Sequence, residues 1–453
     1  MQYSDFIGGK STQDEASGFE PTDLNNKLYD FQHDITDWTI RRGRAAIFAD
    51  CGMGKTPMQL SWADKVRSKG NVLIVAPLAV SAQTVREGDK FGIKLEYRRD
   101  GEPSKTGITI TNYEMLKNFC PDDYAGIVLD ESSILKSYTS KTRNEIIDVF
   151  GRIPYKLACT ATPSPNDIME LGNHSEFLGA MPRTEMLSMF FVNDMTETQK
   201  WRIKGHAKSD FWKWVCSWAV MIRKPSDLGY DDGKFILPPL TMHEHVVDVD
   251  HSKASETLFL MEAQTLQERQ RARRDSVEDR CKSAADIMNN VETGLIWCDR
   301  NDESAMLKKM IDGAIEVKGS DSPEHKEKAM LGFSDGTYKK LISKPSICGF
   351  GMNWQHCNQV AFVGLSDSYE QFYQAVRRVY RFGQTSPVDC HIIISTLEGN
   401  VLNNIKRKEK QATDMAEMMT RNMSVYNSVT VGQLKRRKTE YKTTKKMEQP
   451  KWM

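Results

Sequence analysis

The chain carries two short segments, far apart in sequence, whose side chains suit phosphate chemistry. The first reads ADCGMGKT and ends at Thr56. Its two glycines let backbone N–H groups approach an anion, and a helix that begins there adds a favourable dipole. The ammonium of Lys55 suits the outer phosphates of a nucleoside triphosphate, and the hydroxyl of Thr56 suits Mg²⁺. The predicted nucleotide-binding residues of this loop are Gly52, Met53, Gly54, Lys55 and Thr56.

Two adjacent carboxylates, Asp130 and Glu131, end an apolar segment downstream of this loop. We expect Asp130 to hold Mg²⁺ and Glu131 to polarise an attacking water as general base. Acidic residues commonly end strands, so the pair alone is a weak indication of a site. The phosphate loop in the same predicted sheet is what makes a catalytic role the favoured interpretation. Upstream of that loop, the amide of Gln32 can donate and accept hydrogen bonds, which suits it to read the edge of an adenine.

The second segment runs from Gln374 to Gln384 and contains Arg378 and Arg381. Its pattern predicts a helix, on which residues three apart share a face. Arginine is suited to spreading the charge that develops on a transferring phosphoryl group. Surface cations on a helix are the simpler alternative, but the Gly-Gln pair that closes the segment favours a functional role. A site divided between distant segments would close and open with hydrolysis, which is typical of a motor.

The composition places few limits on function. Hydrophobic residues make up 39% and charged residues 27% of the chain, as in soluble globular proteins. The net charge of +1 says little about nucleic acid, because a binding groove need only be locally basic. No apolar run approaches the roughly 20 residues that cross a bilayer, and the N-terminal residues do not resemble a signal peptide. We therefore expect a cytoplasmic protein with no membrane partner.

The nine cysteines are scattered along the chain. Their nearest approach to a metal-binding cluster is Cys348, His356 and Cys357, but buried free thiols in a reducing compartment are the favoured interpretation.

Short apolar runs followed by turn or helix-start residues occur in two groups and predict buried parallel strands. The runs are 45–49, 72–76, 108–111, 127–130 and 156–160, then 294–298, 314–317, 340–343, 359–363 and 389–394. The predicted fold class is therefore α/β, with two doubly wound parallel-sheet lobes and a mostly helical insertion between them. The predicted parts are a flexible arm (1–27), a first lobe (28–172), the insertion (173–288), a second lobe (289–403) and a helical, then basic, tail (404–453).

Two features outside the lobes have alternative interpretations. Tryptophans of the insertion, such as Trp214 and Trp218, suit stacking on bases, but their helical spacing favours packing in a core. The basic run 435–438 in the tail suits either a solvated helix face or an arm that contacts phosphates.

With these motifs, the chain resembles the superfamily-two helicases and, within them, the Snf-type translocases of double-stranded DNA. The resemblance covers roughly residues 28–172 and 290–395. The motifs that carry it are Asp130-Glu131 with Leu135-Lys136, Thr160-Ala-Thr-Pro163 with Asn166, Gly349 to Trp354, and Gln374 to Gln384. It departs from the family at Ser132-Ser133, where relatives have alanine and histidine, and at Thr84, where many have tryptophan.

The resemblance implies two RecA-like lobes that bind ATP and Mg²⁺ between them and DNA across them, through its backbone and without sequence preference. Thr160 and Thr162 would couple hydrolysis to lobe movement. The remaining implied roles are nucleic-acid contact for Pro77, Thr111, Asn112 and Asn353, and ATP binding for Gly351 and Gln374. The compact size resembles helicase-like proteins of bacteriophages and prophages, which implies a bacterial or phage-infected cell and replication or recombination proteins as partners.

Several functions remain open on these grounds. The leading hypothesis is an ATP-driven translocase on duplex DNA, and the second is a strand-separating helicase acting on forks or recombination intermediates. A non-motor nucleotide switch or recruitment subunit belongs to a different class, and the intact set of charged catalytic residues argues against it. A restriction-type nuclease would need a further carboxylate-lysine site, which the sequence does not reveal.

Overall fold

The computed structural model describes residues 16–165, 167–194, 200–247, 274–349, 352–366, 368–396 and 399–437. Within these ranges the chain forms two lobes, each built on one parallel sheet. The described helices include none with the length and apolar character needed to cross a membrane.

The first lobe contains a seven-stranded parallel sheet. Its part of the chain has the strands β1 (Arg44–Ala49), β2 (Val72–Ala76), β3 (Glu96–Tyr97), β4 (Ile108–Asn112), β5 (Gly126–Asp130), β6 (Tyr155–Thr160), β7 (Phe191–Asp194), β8 (Lys200–Ile203) and β9 (Ala219–Ile222). The sheet order is β3-β4-β2-β5-β6-β1-β9, and β7 and β8 form a separate antiparallel pair. The helices are α1 (Asp30–Arg42), α2 (Lys55–Val66), α3 (Leu78–Phe91), α4 (Lys141–Phe150), α5 (Leu171–Leu178), α6 (Arg183–Phe190) and α7 (Lys208–Trp218).

The second lobe contains a six-stranded parallel sheet. Its strands are β10 (Leu240–Val247), β11 (Gly294–Cys298), β12 (Ala314–Val317), β13 (Lys340–Ser343), β14 (Gln359–Val363) and β15 (Val388–Ser395), in the order β10-β15-β14-β11-β13-β12. The helices are α8 (Val277–Asn289), α9 (Asn301–Met310), α10 (Pro323–Ser334), α11 (Pro345–Cys348), α12 (Tyr369–Val376) and α13 (Gly399–Arg437).

Burial explains why the central strands were predictable. Every residue of β2, β5 and β11 is buried, because helices cover both faces of a parallel sheet. Opposite faces of the first sheet belong to two separate apolar clusters, one containing Leu73 and Val75 and the other Val72 and Ile74. All ten predicted strands are present, and the prediction of two α/β lobes is confirmed.

The segment predicted as a helical insertion is in part a component of both sheets. β9 pairs with β1, and β10 pairs with β15, so the first sheet extends beyond residue 172 and the second begins before residue 289. β10 was missed because it is an edge strand whose residues are only partly buried. Residues 248–273 of the predicted insertion lie outside the described residues.

The tryptophans of this region belong to the core, as favoured by their spacing. Trp212 and Trp218 are at most 1% exposed, and Trp214 packs against the same cluster. The C-terminal helix α13 connects the lobes, because Val401 and Ile405 join the core of the second lobe whereas Met419 joins that of the first.

Candidate nucleotide site between the lobes

The predicted phosphate loop connects the end of β1 to the start of α2. Gly52 and Gly54 have φ angles of 92° and 84°, a region that side-chain-bearing residues rarely adopt. A Cβ atom on Gly54 would lie 2.2 Å from Nε2 of Gln32, and one on Gly52 would lie 2.8 Å from the backbone nitrogen of Phe382. Glycine is therefore required at both positions by conformation and by space.

Two polar side chains contact the backbone of this loop. Lys55 donates from Nζ to the carbonyl oxygen of Ala49 at 2.9 Å. Gln32 donates from Nε2 to the carbonyl oxygen of Met53 at 3.0 Å, and its Oε1 accepts from the Tyr29 N–H at 3.1 Å. In this arrangement one end of the Gln32 amide bonds to the loop and the other to Tyr29 at the start of α1. Recognition of adenine would therefore require one of these bonds to exchange.

The acidic pair lies at the carboxyl end of β5, beside the phosphate loop. Asp130 is buried and accepts a 2.7 Å hydrogen bond on Oδ1 from Nε2 of Gln59. Burial, and next the charge of Glu131, raise the pKa of Asp130 to about 6. Glu131 has a left-handed φ of 54°, and its buried Oε2 has no hydrogen-bond partner among the described residues. One carboxylate is thus anchored and the other is left available to a bound group.

Arg378 and Arg381 do not lie on one helix, which corrects the expectation from their spacing. α12 ends at Val376, and both arginines belong to the turn that follows. The side-chain Nε of Arg378 donates to the carbonyl oxygen of Gln374 at 2.9 Å. The backbone N–H of Arg378 donates instead to the carbonyl oxygen of Ala375. The side chain therefore occupies the acceptor that a further helical turn would use.

The turn nevertheless brings the two guanidinium groups together. Each donates from Nη1 to the carbonyl oxygen of Met352, Arg378 at 3.3 Å and Arg381 at 3.5 Å. Arg378 also donates to Oε1 of Gln374 at 3.0 Å. Burial lowers the pKa of both arginines, that of Arg381 to about 10 with a further contribution from the Arg378 charge. Two cations held this close in a buried place favour an anion between them and the first lobe.

One cleft, with a volume of about 510 Å³, is lined by both groups of residues. Its lining includes Gln32, Gly52, Gly54, Lys55, Thr56, Asp130 and Glu131 from the first lobe and Asn353, Gln355, Arg378, Arg381 and Phe382 from the second. Four lining residues have buried polar atoms without a hydrogen-bond partner in the described part of the chain: Oε1 of Gln83, Oε2 of Glu131, Oδ1 of Asn353 and Nε of Arg381. Buried polar atoms ordinarily have partners, so these residues fit a polar, phosphate-bearing ligand with its Mg²⁺.

The residues assigned by resemblance to other roles lie in different surroundings. Thr160 is buried at the end of β6 and accepts from the Thr162 N–H at 3.1 Å. Thr111 and Asn112 end β4 and are buried, and Asn112 is bonded to Tyr97 at 3.0 Å. Pro77 precedes α3 at the same sheet edge. Asn353 lines the nucleotide cleft, and Gly351 and Asn166 lie outside the described residues.

Three groups near the site were not predicted from the sequence. Gln59 had a local signal, since it stands one helical turn after Lys55. Phe382 stacks on Phe235 with ring centroids 4.6 Å apart, at the edge of the cleft. Ser132 lies 3.1 Å from Nε2 of His174, a buried imidazole in α5.

The cysteines are mostly buried thiols, as the sequence favoured. Eight of the nine are buried and Cys120 is exposed. Burial raises the pKa of Cys348 to about 11 and that of Cys357 to about 12. These thiols are therefore protonated and weakly reactive at neutral pH.

Comparisons with known proteins find similarity to helicases. Residues 279–383 match the family model of the helicase conserved C-terminal domain. The DNA annealing helicase and endonuclease ZRANB3 is 22% identical both in Bos taurus, over 443 residues, and in Mus musculus, over 441 residues; each match covers 86% of this chain. The chain spans about two fifths of the length of these relatives, 40% and 41%.

A solved structure, the Sulfolobus solfataricus SWI2/SNF2 ATPase core in complex with dsDNA, is similar over 92% of this chain and 98% of that chain, with 16% identity and a TM-score of 0.43. The helicase-domain match contains the arginine turn. The helicase-domain match and the relatives indicate a helicase-like ATP hydrolase, and they make the chain similar to the Snf-type branch of superfamily two.

Proposed function

We propose that this chain is an ATP-driven motor that moves along duplex DNA without separating its strands. The observation that carries the proposal is the division of the reacting groups between the lobes. Lys55 and Glu131 come from the first lobe and Arg381 from the second, and all three line one cleft. Hydrolysis at such a site depends on the relative position of the lobes, so the chemical step and lobe movement are linked.

The residues of the cleft have separate tasks in this proposal. Thr56 and Asp130 would hold Mg²⁺, which neutralises charge on the outer phosphates. Glu131, whose Oε2 is unpaired among the described residues, accepts a hydrogen bond from the attacking water and then its proton. Lys55 exchanges its contact with Ala49 for a phosphate oxygen. Arg381 stabilises the charge that develops on the transferred phosphoryl group.

Coupling to DNA would pass through the carboxyl edge of the first sheet. Thr160 ends β6 and Thr162 follows it, next to the strand that carries the acidic pair. Thr162 Oγ1 is buried and has no partner in the described ranges, so it is available to a contact that forms when the lobes move. Asn112 ends β4, and Pro77 directly follows the neighbouring strand β2 at the same edge.

DNA is proposed as the substrate because the relatives are named for acting on it. ZRANB3 is called a DNA annealing helicase and endonuclease. The chain spans about two fifths of those proteins, so only the motor is carried over to it. Backbone phosphates are the expected contacts, because a motor that advances along any sequence cannot depend on base identity.

The proposal is tested by offering the protein two DNA substrates with ATP. One is a duplex carrying a labelled third strand, which any translocating protein displaces, and the other is a fork whose strands must be separated. We expect ATP-dependent displacement of the third strand and an intact fork. Glu131→Gln is the matched control and should release neither strand.

Each alternative has its own outcome in the same experiment. Separation of the fork would identify an unwinding helicase. Release of neither strand, with wild-type ATP hydrolysis present, would contradict a motor and favour the nucleotide switch.

A further inference from the structure

A buried ion pair connects the phosphate loop to the arginine turn. Asp50, inside the phosphate loop, accepts from Nη2 of Arg377 at 3.3 Å and from the Tyr373 hydroxyl at 2.5 Å. The side chains of Asp50 and Arg377 are only 16% and 17% exposed. The two residues belong to different lobes, 327 positions apart, so this network is a direct contact between them.

Asp50 is rigidly held on the side of the first lobe. Its Oδ1 accepts from the Cys51 N–H at 2.7 Å, and its own N–H donates to the carbonyl oxygen of Ile222 at 2.9 Å. Its carbonyl oxygen accepts from the Met53 N–H at 3.2 Å. The carboxylate is therefore fixed relative to the backbone N–H groups that would surround a phosphate.

Arg377 is the first residue after α12 and directly precedes Arg378. Its guanidinium also lies over the rings of Tyr373 and Tyr380, 5.1 and 5.5 Å from their centroids. Because the arginine turn is not helical, its position depends on such side-chain contacts. Gly52 of the phosphate loop and Phe382 of the arginine turn also approach each other closely. This approach is sterically allowed only while the loop and the turn keep their present distance.

The charges of the network support one another. Burial alone would raise the pKa of Asp50, but Arg377 and the Tyr373 hydroxyl lower it overall. Burial alone would lower the pKa of Arg377, but Tyr373 and Asp50 raise it overall. The pair therefore stays ionised at neutral pH, and removal of either charge would leave the other buried without its partner.

We propose that Asp50, Tyr373 and Arg377 are positioning residues that hold the arginine turn at the distance from the phosphate loop at which Arg378 and Arg381 reach the transferred phosphoryl group. They touch the segments that carry the reacting groups and not the nucleotide. This inference rests on the proposed hydrolysis of ATP in the cleft. It predicts an effect on the rate of the chemical step that exceeds the effect on nucleotide binding.

The kinetic test compares Asp50→Asn, Arg377→Gln and the double variant with wild type. We expect kcat to fall by about 10- to 100-fold, as for other small misplacements of catalytic groups, and the KM for ATP to change by less than about threefold. The double variant should lose no more than the worse single variant, because both remove one interaction. Arg377→Lys, which keeps the charge, should recover part of the lost kcat.

The matched control is Arg86→Gln. Arg86 pairs with Glu327 of the other lobe at 3.8 Å, but both side chains are about half exposed, 49% and 57%. An exposed pair contributes little, so this variant should keep the wild-type kcat. Equal kcat in wild type and Arg377→Gln, or additive losses in the double variant, would overturn the proposal.

A second measurement separates this inference from the proposed function. Spin labels on the exposed thiol of Cys120 and on an introduced Asp312→Cys report the distance between the lobes without any turnover. Wild type and Arg86→Gln should give one narrow distribution, and Asp50→Asn and Arg377→Gln a broader one. Identical distributions would overturn the inference, whereas absent ATP hydrolysis in wild type with these differences intact would overturn only the proposed function.

Discussion

Gln59 donates a hydrogen bond of 2.7 Å from Nε2 to Oδ1 of Asp130, in the interior of the first lobe. Burial, and next the charge of Glu131, raise the pKa of this carboxyl to about 6 in spite of that bond, from an ordinary value of 3.8. A carboxyl whose pKa is raised on folding costs stability once it is ionised. Its contribution to the free energy of unfolding should therefore fall by about 3 kcal/mol in total as the pH rises from below 3.8 to above 6.

The Asp130→Asn variant should be more stable than wild type at pH 8 and equally stable at pH 4. The amide oxygen still accepts from Gln59, while the buried charge is gone, so the gain at pH 8 should approach about 3 kcal/mol. ATP hydrolysis should be lost, because the residue no longer holds Mg²⁺. Denaturant titrations at the two pH values measure the effect, with the exposed Asp148→Asn as control. Equal stability of Asp130→Asn and wild type at pH 8 would show that the charge is not costly.

Glu131→Gln should bind ATP with near wild-type affinity but hydrolyse it about 10²- to 10⁴-fold more slowly, the usual effect of a general base. Nucleotide binding by equilibrium titration and single-turnover hydrolysis separate the two steps. Glu145→Gln, an exposed position, is the control for the change of charge. Rapid turnover by Glu131→Gln would rule out the general-base role.

The two arginines of the turn should differ when each is replaced by alanine. Arg381 has one long contact at 3.5 Å, so Arg381→Ala should keep its thermal stability and nucleotide binding and lose about 10³-fold or more in kcat. Arg378 bonds to Gln374 and Met352, so Arg378→Ala should also unfold at lower temperature. Thermal melts beside kcat measurements distinguish them. A lower ATP affinity with unchanged kcat for Arg381→Ala would contradict its role in the transition state.

Removal of residues 438–453 should weaken DNA binding mainly at low salt. This segment has five lysines and two glutamates, and exposed charge contacts with phosphates are screened by salt. α13 is described from Gly399 to Arg437, so this truncation removes none of the described part of the helix that connects the lobes. The measurement is DNA affinity against salt concentration, and a full-length chain with the five lysines replaced by glutamine is the control for loss of length. If the truncated chain and the glutamine-substituted chain both keep the wild-type salt dependence, the segment does not contact DNA.

The sequence predicted those elements whose burial leaves a continuous apolar pattern. Nine of the ten predicted strands lie inside a sheet and were found for this reason, whereas the edge strand β10 alternates between partly buried and exposed residues and was missed. β9 has only four residues and directly follows α7, so no turn signal marks its start. The end of α12 could not be predicted either, because there the side chain of Arg378 donates a hydrogen bond to the carbonyl oxygen of Gln374.

The cleft was predictable where its chemistry is local and not where it depends on tertiary contacts. The phosphate loop and the acidic pair each form one short motif, and the structure brings them to the same cleft. The Asp50–Arg377 contact joins positions 327 residues apart and has no pattern in the sequence. The hydrogen bond from Gln32 to the Met53 carbonyl oxygen likewise depends on how α1 packs against the phosphate loop.

The most direct test of the account is ATP hydrolysis by the purified chain with no nucleic acid, duplex DNA, single-stranded DNA or RNA. Each condition is repeated with Lys55→Ala and with the exposed Lys117→Ala as control. The account predicts strong stimulation by duplex DNA, retained by Lys117→Ala and abolished by Lys55→Ala. Hydrolysis that duplex DNA does not stimulate, or that persists without Lys55, would contradict it.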